Sequence, residues 1–268
     1  MEAQTDLYIR RIQSYDEYIA VAELQKIVWG QESIEIVPPS ILMVNQKIGG
    51  IVAGAFTPDH ELVAFVYGLP GFRNNAEVHW SHMLAVKPAW RGKGIGKRLK
   101  QYQRAFVQER GIKIIHWTYD PLESVNAFLN LERLGAMPSE YICDLYGKGE
   151  KSILHKGIGT DRFILTWYLN PVDGQARRAR FSPLAAPRSL PAVISKTLSF
   201  LPVSASGVRI EIPRNIQQLK REQPEEARAW RNATRAAFMH YFGKGYGVVG
   251  FHTLDEGCYY IMAQPNPS

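Results

Sequence analysis

The run Arg91-Gly92-Lys93-Gly94-Ile95-Gly96 lies between an apolar stretch, Met83-Leu84-Ala85-Val86, and an amphipathic one covering residues 97–110. It constrains this chain more than any other feature. Glycines at alternate positions let a backbone turn tightly and aim successive N–H groups at one anion with no Cβ in the way. A helix beginning directly afterwards would add the positive end of its dipole. The expected element is a strand, a pyrophosphate cradle and a helix. Two other glycine loops fail on spacing. A dinucleotide fingerprint needs glycine where Lys97 stands, and a Walker loop ending at Gly96-Lys97 needs glycine at Arg91 and Ser or Thr at Arg98.

The surrounding pattern supplies a sheet and helices. Residues 7–12 read as a short strand, and Ser14-x-x-Glu17 is a capping box opening a helix with Tyr18, Val21, Ala22 and Trp29 on one face. Pro38-Pro39-Ser40 opens a second helix that Gly49-Gly50 ends. Residues 51–56 and 62–69 form a hairpin across Thr57-Pro58-Asp59-His60, and residues 77–86 a longer strand. After the loop, a helix over 97–110 leads to a strand over 112–118 that is apolar on both faces and belongs inside a sheet. A helix over 124–134 is stopped by Gly135, and strands over 141–146 and 162–169 follow.

Composition narrows the class. The 268 residues are 46% hydrophobic, enough for a globular core in one or two domains. No apolar run approaches the length of a membrane span, and the first residues do not read as a signal peptide. Cys143 and Cys258 are too far apart in sequence for a ligand spacing or a disulfide framework, so two buried thiols, no metal and a reducing cytoplasm are expected. A net charge of +7 asks for phosphate-bearing partners. Arg91, Lys93, Lys97, Arg98, Lys100 and Arg104 crowd the loop and its helix, with Lys100 and Arg104 read as a solvated face.

An Arg-x-x-Gly-x-Gly loop straight after a strand ending Leu-Ala-Val-x-Pro resembles the GNAT acyltransferase superfamily, and the element order matches that family over residues 1–170. The resemblance implies an α/β (α+β) fold, a mixed, mostly antiparallel sheet flanked by helices. It also implies an N-acyltransferase using acetyl-CoA or another acyl-CoA as co-substrate. Arg91, Gly92, Lys93, Gly94, Ile95, Gly96 and Lys97 would hold its pyrophosphate. Leu84, Ala85 and Val86 would pair with the pantetheine arm through their backbone, a main-chain N–H serving as oxyanion donor. Asn126 would either meet a pantetheine amide or cap its helix. Ser81-His82-Met83, residues 117–122 and Thr160-Asp161-Arg162 are similar to a less-characterised branch with a long C-terminal extension. Some relatives there acylate amino acids, succinyl-CoA being one donor.

Acyl transfer to an amine needs a base for the ammonium proton and a fixed donor for the carbonyl oxygen. His82 stands four residues before the valine of Leu-Ala-Val, where histidine-using family members place their base. It reads equally as a packed sheet histidine. Unless a bulge intervenes, Trp80, His82, Leu84 and Val86 share one strand face and Glu77, His79, Ser81, Met83 and Ala85 the other. Glu77 is the runner-up base. The tyrosine that many family members use as acid is replaced by Leu131, which leaves Tyr146 as the best remaining phenol and leaves open whether a side chain protonates the thiolate.

Residues 171–206, rich in proline and arginine, read as a linker, and residues 207–268 as an αβ subdomain. Within it, a strand over 208–212, a helix over 224–241 and two short strands are expected, with no second coenzyme site because Pro213-Arg214-Asn215 replaces the loop. This piece would close the sheet, shape an acceptor pocket or build a homodimer. The partners implied are acyl-CoA and a small amine, without a membrane. The competing classes are a non-catalytic acyl-CoA-binding module and, less favoured for want of aromatics among the cations, a nucleic-acid binder.

Overall fold

The computed structural model describes residues 6–30, 35–147, 158–181 and 186–266. The chain divides into two compact units, Met1–Trp117 and Thr118–Ser268.

In the first unit, β1 (Tyr8–Arg11), β2 (Ile51–Phe56), β3 (Leu62–Arg73) and β4 (Ala76–Val86) pair antiparallel in that order. β5 (Ile114–Tyr119), in which the division falls, runs parallel to β4. Helix α1 (Tyr15–Trp29) begins at Ser14, whose side chain accepts from the Glu17 amide, as the capping box requires. It joins α2 (Pro39–Lys47) on one face of the sheet, where Tyr18, Val21, Leu24 and Leu42 pack with Val52, Phe65, Tyr67 and Ala85. Helix α3 (Ile95–Gln108) lies on the other face. It buries Leu99, Phe106 and Val107, spaced as one helical stripe. Gly68 of β3 lies where this helix comes closest. A Cβ there would sit 2.2 Å from His79 Nε2 and 2.6 Å from Gln103 Nε2, so a side chain fits only if both of these groups move.

The second unit continues with α4 (Ser124–Ala127), which runs into a π-helical turn over Phe128–Arg133. β6 (Met137–Ile142) pairs antiparallel with β7 (Arg162–Tyr168). The strand expected over 141–146 instead ends at Ile142, because Asp144 adopts φ +47° and turns the chain. α5 (Pro171–Arg178) occupies part of the segment read as a linker: Asn170 caps it and Pro171 sits at its first position, where the missing N–H costs nothing. Then come β8 (Gly207–Ile212), α6 (Ile216–Glu222), α7 (Pro224–Gly243), β9 (Gly247–Thr253) and β10 (Cys258–Ala263), the three strands ordered β8-β10-β9. Cys143 is only half-buried and Cys258 is buried, which corrects the expectation of two buried thiols. Among the described residues no helix is long and apolar enough to cross a membrane, and no cluster of His, Cys, Asp and Glu could hold a metal ion.

Candidate active site

β4 carries the expected site residues, but its faces switch partway. Tyr67 pairs with Met83 and Gly68 with Ser81, so His82 is an extra residue, a β-bulge. Before it, His79 and Ser81 meet α3 through Gln103 and Lys100. After it, Leu84 faces α3, 3.5 Å from where a Cβ on Gly96 would be, while Met83 and Ala85 join the cluster under α1 and α2. Strict alternation put Ser81, Met83 and Ala85 on one face; the bulge corrects this.

The other edge of β4 is largely open. β4 and β5 pair at only two positions, His79 with Ile115 and Trp80 with His116. Beyond them, Ser81 to Val86 do not pair with β5, which leaves one edge of this stretch without ladder partners.

The loop follows after a short turn over Pro88–Trp90, absent from the sequence reading. Gly92 and Gly94 have φ +78° and +75°, the left-handed region where glycine alone is unstrained, and a Cβ on either would meet nothing within 4 Å. No side chain caps α3, and its first internal hydrogen bond is Arg98 N–H to the Gly94 carbonyl, 3.2 Å. Among the described residues, the amides of Gly92, Lys93, Gly94, Ile95, Gly96 and Lys97 donate to no protein acceptor. Six such donors at the head of a helix of 14 residues suit a diphosphate. Arg91 ties the loop to the strand, its Nε donating to the Val86 carbonyl at 3.2 Å, and Lys93 lies over the Trp90 ring, 4.9 Å from its centroid.

The remaining cations behave differently from one another. Arg98 reaches the Leu7 carbonyl at 2.6 Å. Lys100, read from sequence as solvated, is 4% exposed. Its Nζ donates to Ser81 Oγ at 2.7 Å and lies 3.9 Å from the centroid of the Trp117 ring, and desolvation lowers its pKa to about 7. Nearby His79 accepts a hydrogen bond from Gln103 Nε2 at 3.0 Å, which leaves its Nδ1 as the protonated nitrogen, buried without a partner. Desolvation, with Lys100 and Arg110 adding like charge, pushes this imidazole down to about 3.

His82 keeps part of its ring exposed at the bulge and meets Tyr67 edge-on, ring centroids 5.7 Å apart. Desolvation lowers its pKa from 6.5, while the Glu35 carboxylate opposes the shift. Glu77 is exposed five residues earlier, opposite Phe72 near the hairpin end, roughly 16 Å along an extended strand. The structure does not bring these two together.

Tyr146 and Asn126 belong to the second unit. The Tyr146 phenol is within 3.0 Å of Thr118 Oγ1, and the Arg162 guanidinium lies 5.2 Å from its ring centroid. Asn126 is exposed on α4, and Glu123, rather than Asn126, occupies the cap position. Sequence reasoning missed the polar layer under β4, although Gly96, Lys100 and Gln103 recur at the spacing of one helix face.

Residues 43–131 match the family model described as an acetyltransferase (GNAT) domain. No curated protein matches the sequence. Among solved structures, the ribosomal-protein-S18-alanine N-acetyltransferase from Escherichia coli is 13% identical, with 62% of this chain and 95% of that one covered and a TM-score of 0.48. An aminoglycoside 6'-acetyltransferase type Ii is 20% identical over 61% and 98% of the two chains, TM-score 0.48. An aminoglycoside 6'-N-acetyltransferase complexed with coenzyme A is 17% identical over 61% and 98%, TM-score 0.47. The matched stretch begins within α2, takes in β4, the glycine loop and α3, and ends in the π-helical turn after α4.

Proposed function

We propose that the protein moves an acetyl or succinyl group from acyl-CoA to the primary amine of a small molecule, an amino acid among the candidates, by direct transfer. One observation carries the reading: the unpartnered amides of residues 92–97 stand at the head of α3, next to the unpaired margin of β4. Acyl-CoA supplies the thioester and a thiolate leaving group.

Each chain residue then has a task. The loop amides, with Arg91, Lys93 and Lys97, offset the phosphate charge. Leu84, Ala85 and Val86 pair with the pantetheine arm through their backbone, and one N–H there receives the developing negative charge on the carbonyl oxygen. His82 takes a proton from the acceptor's ammonium, so that the neutral amine can attack the thioester carbonyl and release the thiolate. Its lowered pKa keeps the imidazole neutral, and so able to accept, at neutral pH. Glu77 is the alternative base. Tyr146, the best phenol left where the family's tyrosine is replaced, would give a proton to the thiolate, and Asn126 would meet a pantetheine amide as the family resemblance implies. In this reading residues 171–206 are a joining segment, and residues 207–268 an αβ piece with no coenzyme site of their own.

Calorimetry with CoA, acetyl-CoA and succinyl-CoA, followed by free-thiol release over a panel of amines and amino acids, tests this. Binding together with amine-dependent thiol release is expected. Absence of heat with every CoA species would sink the proposal, and heat without thiol release from any acceptor would leave the non-catalytic acyl-CoA-binding module.

A further inference from the structure

The ammonium of Lys100 touches both arms of the gap between β4 and β5. The last paired residues are Trp80 and His116. The next residue on each strand is Ser81 and Trp117, and these are the two groups that Lys100 engages, a hydroxyl at 2.7 Å and a ring face at 3.9 Å. The contact therefore stands at the point where pairing stops.

We propose that Lys100 is a wedge: it keeps β4 and β5 apart beyond Trp80 and holds the bulge at His82, and so acts as a positioning residue for the acyl transfer proposed above, on which this part of the inference rests.

Continued pairing would bring the backbones at Ser81 and Trp117 to within about 5 Å. That closes the space in which Nζ sits between hydroxyl and ring. The amino group cannot then leave without losing both partners inside the protein, which costs at least as much as a ladder bond left unmade. Its other neighbours offer no exit. From β4 it meets Ser81 and His79, from β5 Trp117, while His116 points to the opposite face toward Trp80. On α3 itself Gln103 is bonded to His79, and Arg110 adds a further positive charge. No carboxylate pairs with Lys100 among the described residues. A methionine would fill the same stem and avoid the desolvation cost, so stability alone does not account for a lysine here. Keeping the strand margin open does.

Lys100→Met tests this by two independent readouts. Amide hydrogen exchange over residues 81–86 should slow as pairing with β5 extends, and turnover in thiol release should fall on the order of tenfold to a hundredfold, as expected when reacting groups shift by about 1 Å. Ser81→Ala, a smaller change that removes one of the two contacts, should move both readouts the same way and serves if the methionine variant does not fold. Lys100→Arg keeps a cation and should restore part of the turnover. A folded Lys100→Met protein with unchanged exchange over residues 81–86 would overturn the wedge. If the wild-type chain releases no thiol from any acyl-CoA, the acyltransferase reading fails by itself and the exchange measurement still decides on Lys100.

Discussion

Among the described residues each unit has a deeply buried cation, Lys100 in the first and Arg231 in the second, and the two are accommodated in opposite ways. In the second unit Arg231 of α7 is 2% exposed and donates to both oxygens of Asp120, at 2.7 and 2.6 Å, while its Nε reaches the Ile158 carbonyl. Asp120 is held well below the usual carboxylate range: Arg231 and Arg162 outweigh a desolvation that would raise it. Next to this pair, Arg235 binds Asp161 and Asp144, Phe163, Phe238 and Tyr260 meet edge to face, and Tyr119 lies tilted against Phe163. In the first unit Lys100 has a hydroxyl and an aromatic ring but no anion. A paired buried charge holds elements together, since removing one member leaves the other uncompensated. A buried charge without a counter-ion works against the fold and persists where it serves something else.

Replacing Arg231 by Met should produce the largest effect, about 3–5 kcal/mol off the unfolding free energy, because Asp120 is stranded in the core. Denaturant titration measures it, and a loss under about 1 kcal/mol would break the contrast. Since Asp120 has a lowered folded-state pKa, its contribution is present above its ordinary 3.8 and lost as the pH falls below that value.

His82→Ala should come next, cutting turnover about a hundredfold or more while leaving the CoA dissociation constant within about threefold. In the parent protein the acid limb of kcat/KM should lie below pH 6.5, the direction in which desolvation moves this imidazole. A limb above 6.5 would assign the proton to another group.

At Lys100 stability should also rise with pH, but in a higher window, and as the relief of a penalty rather than the gain of a contribution. Its pKa is lowered from 10.5 to about 7, so the folded state binds fewer protons than the unfolded one between those values. The penalty is full below pH 7 and fades as the pH rises toward 10.5. Lys100→Met should therefore raise Tm at pH 6 and raise it less at pH 9, which thermal melts read directly. A lower Tm at both values would place Lys100 with Arg231 as a structural charge.

Glu77→Gln should do least, with turnover changed by less than about twofold, because an exposed carboxylate at the hairpin end of β4 is remote from the bulge.

What could be read in advance follows from how local each signal is. The loop was legible because alternating glycines constrain the backbone within a few residues, and the capping box at Ser14 for the same reason. The bulge was not, because it lies in the register between Tyr67-Gly68 and Ser81-His82-Met83, and no property of residue 82 alone reveals which way its side chain leaves the strand. Lys100 was misplaced by its chemistry: a lysine among Lys97, Arg98 and Arg104 reads as one more solvated cation, although its spacing from Gly96 and Gln103 puts it on the buried stripe. α5 was hidden by proline and arginine, and the end of β6 by Asp144, whose turn depends on the company of Asp161, Thr160 and Arg235.

Gly68 carries a consequence for how this sequence can drift. Its carbonyl accepts from Asn45 and the space above its Cα is filled by His79 and Gln103, in register with Ser81 beside the bulge. A saturation library at codon 68 should favour glycine, and larger residues should survive only with rearrangement at both 79 and 103. Tolerance at this position would then measure how far the layer between β3 and α3 can yield, since the neighbours of an added carbon are side-chain ends rather than backbone.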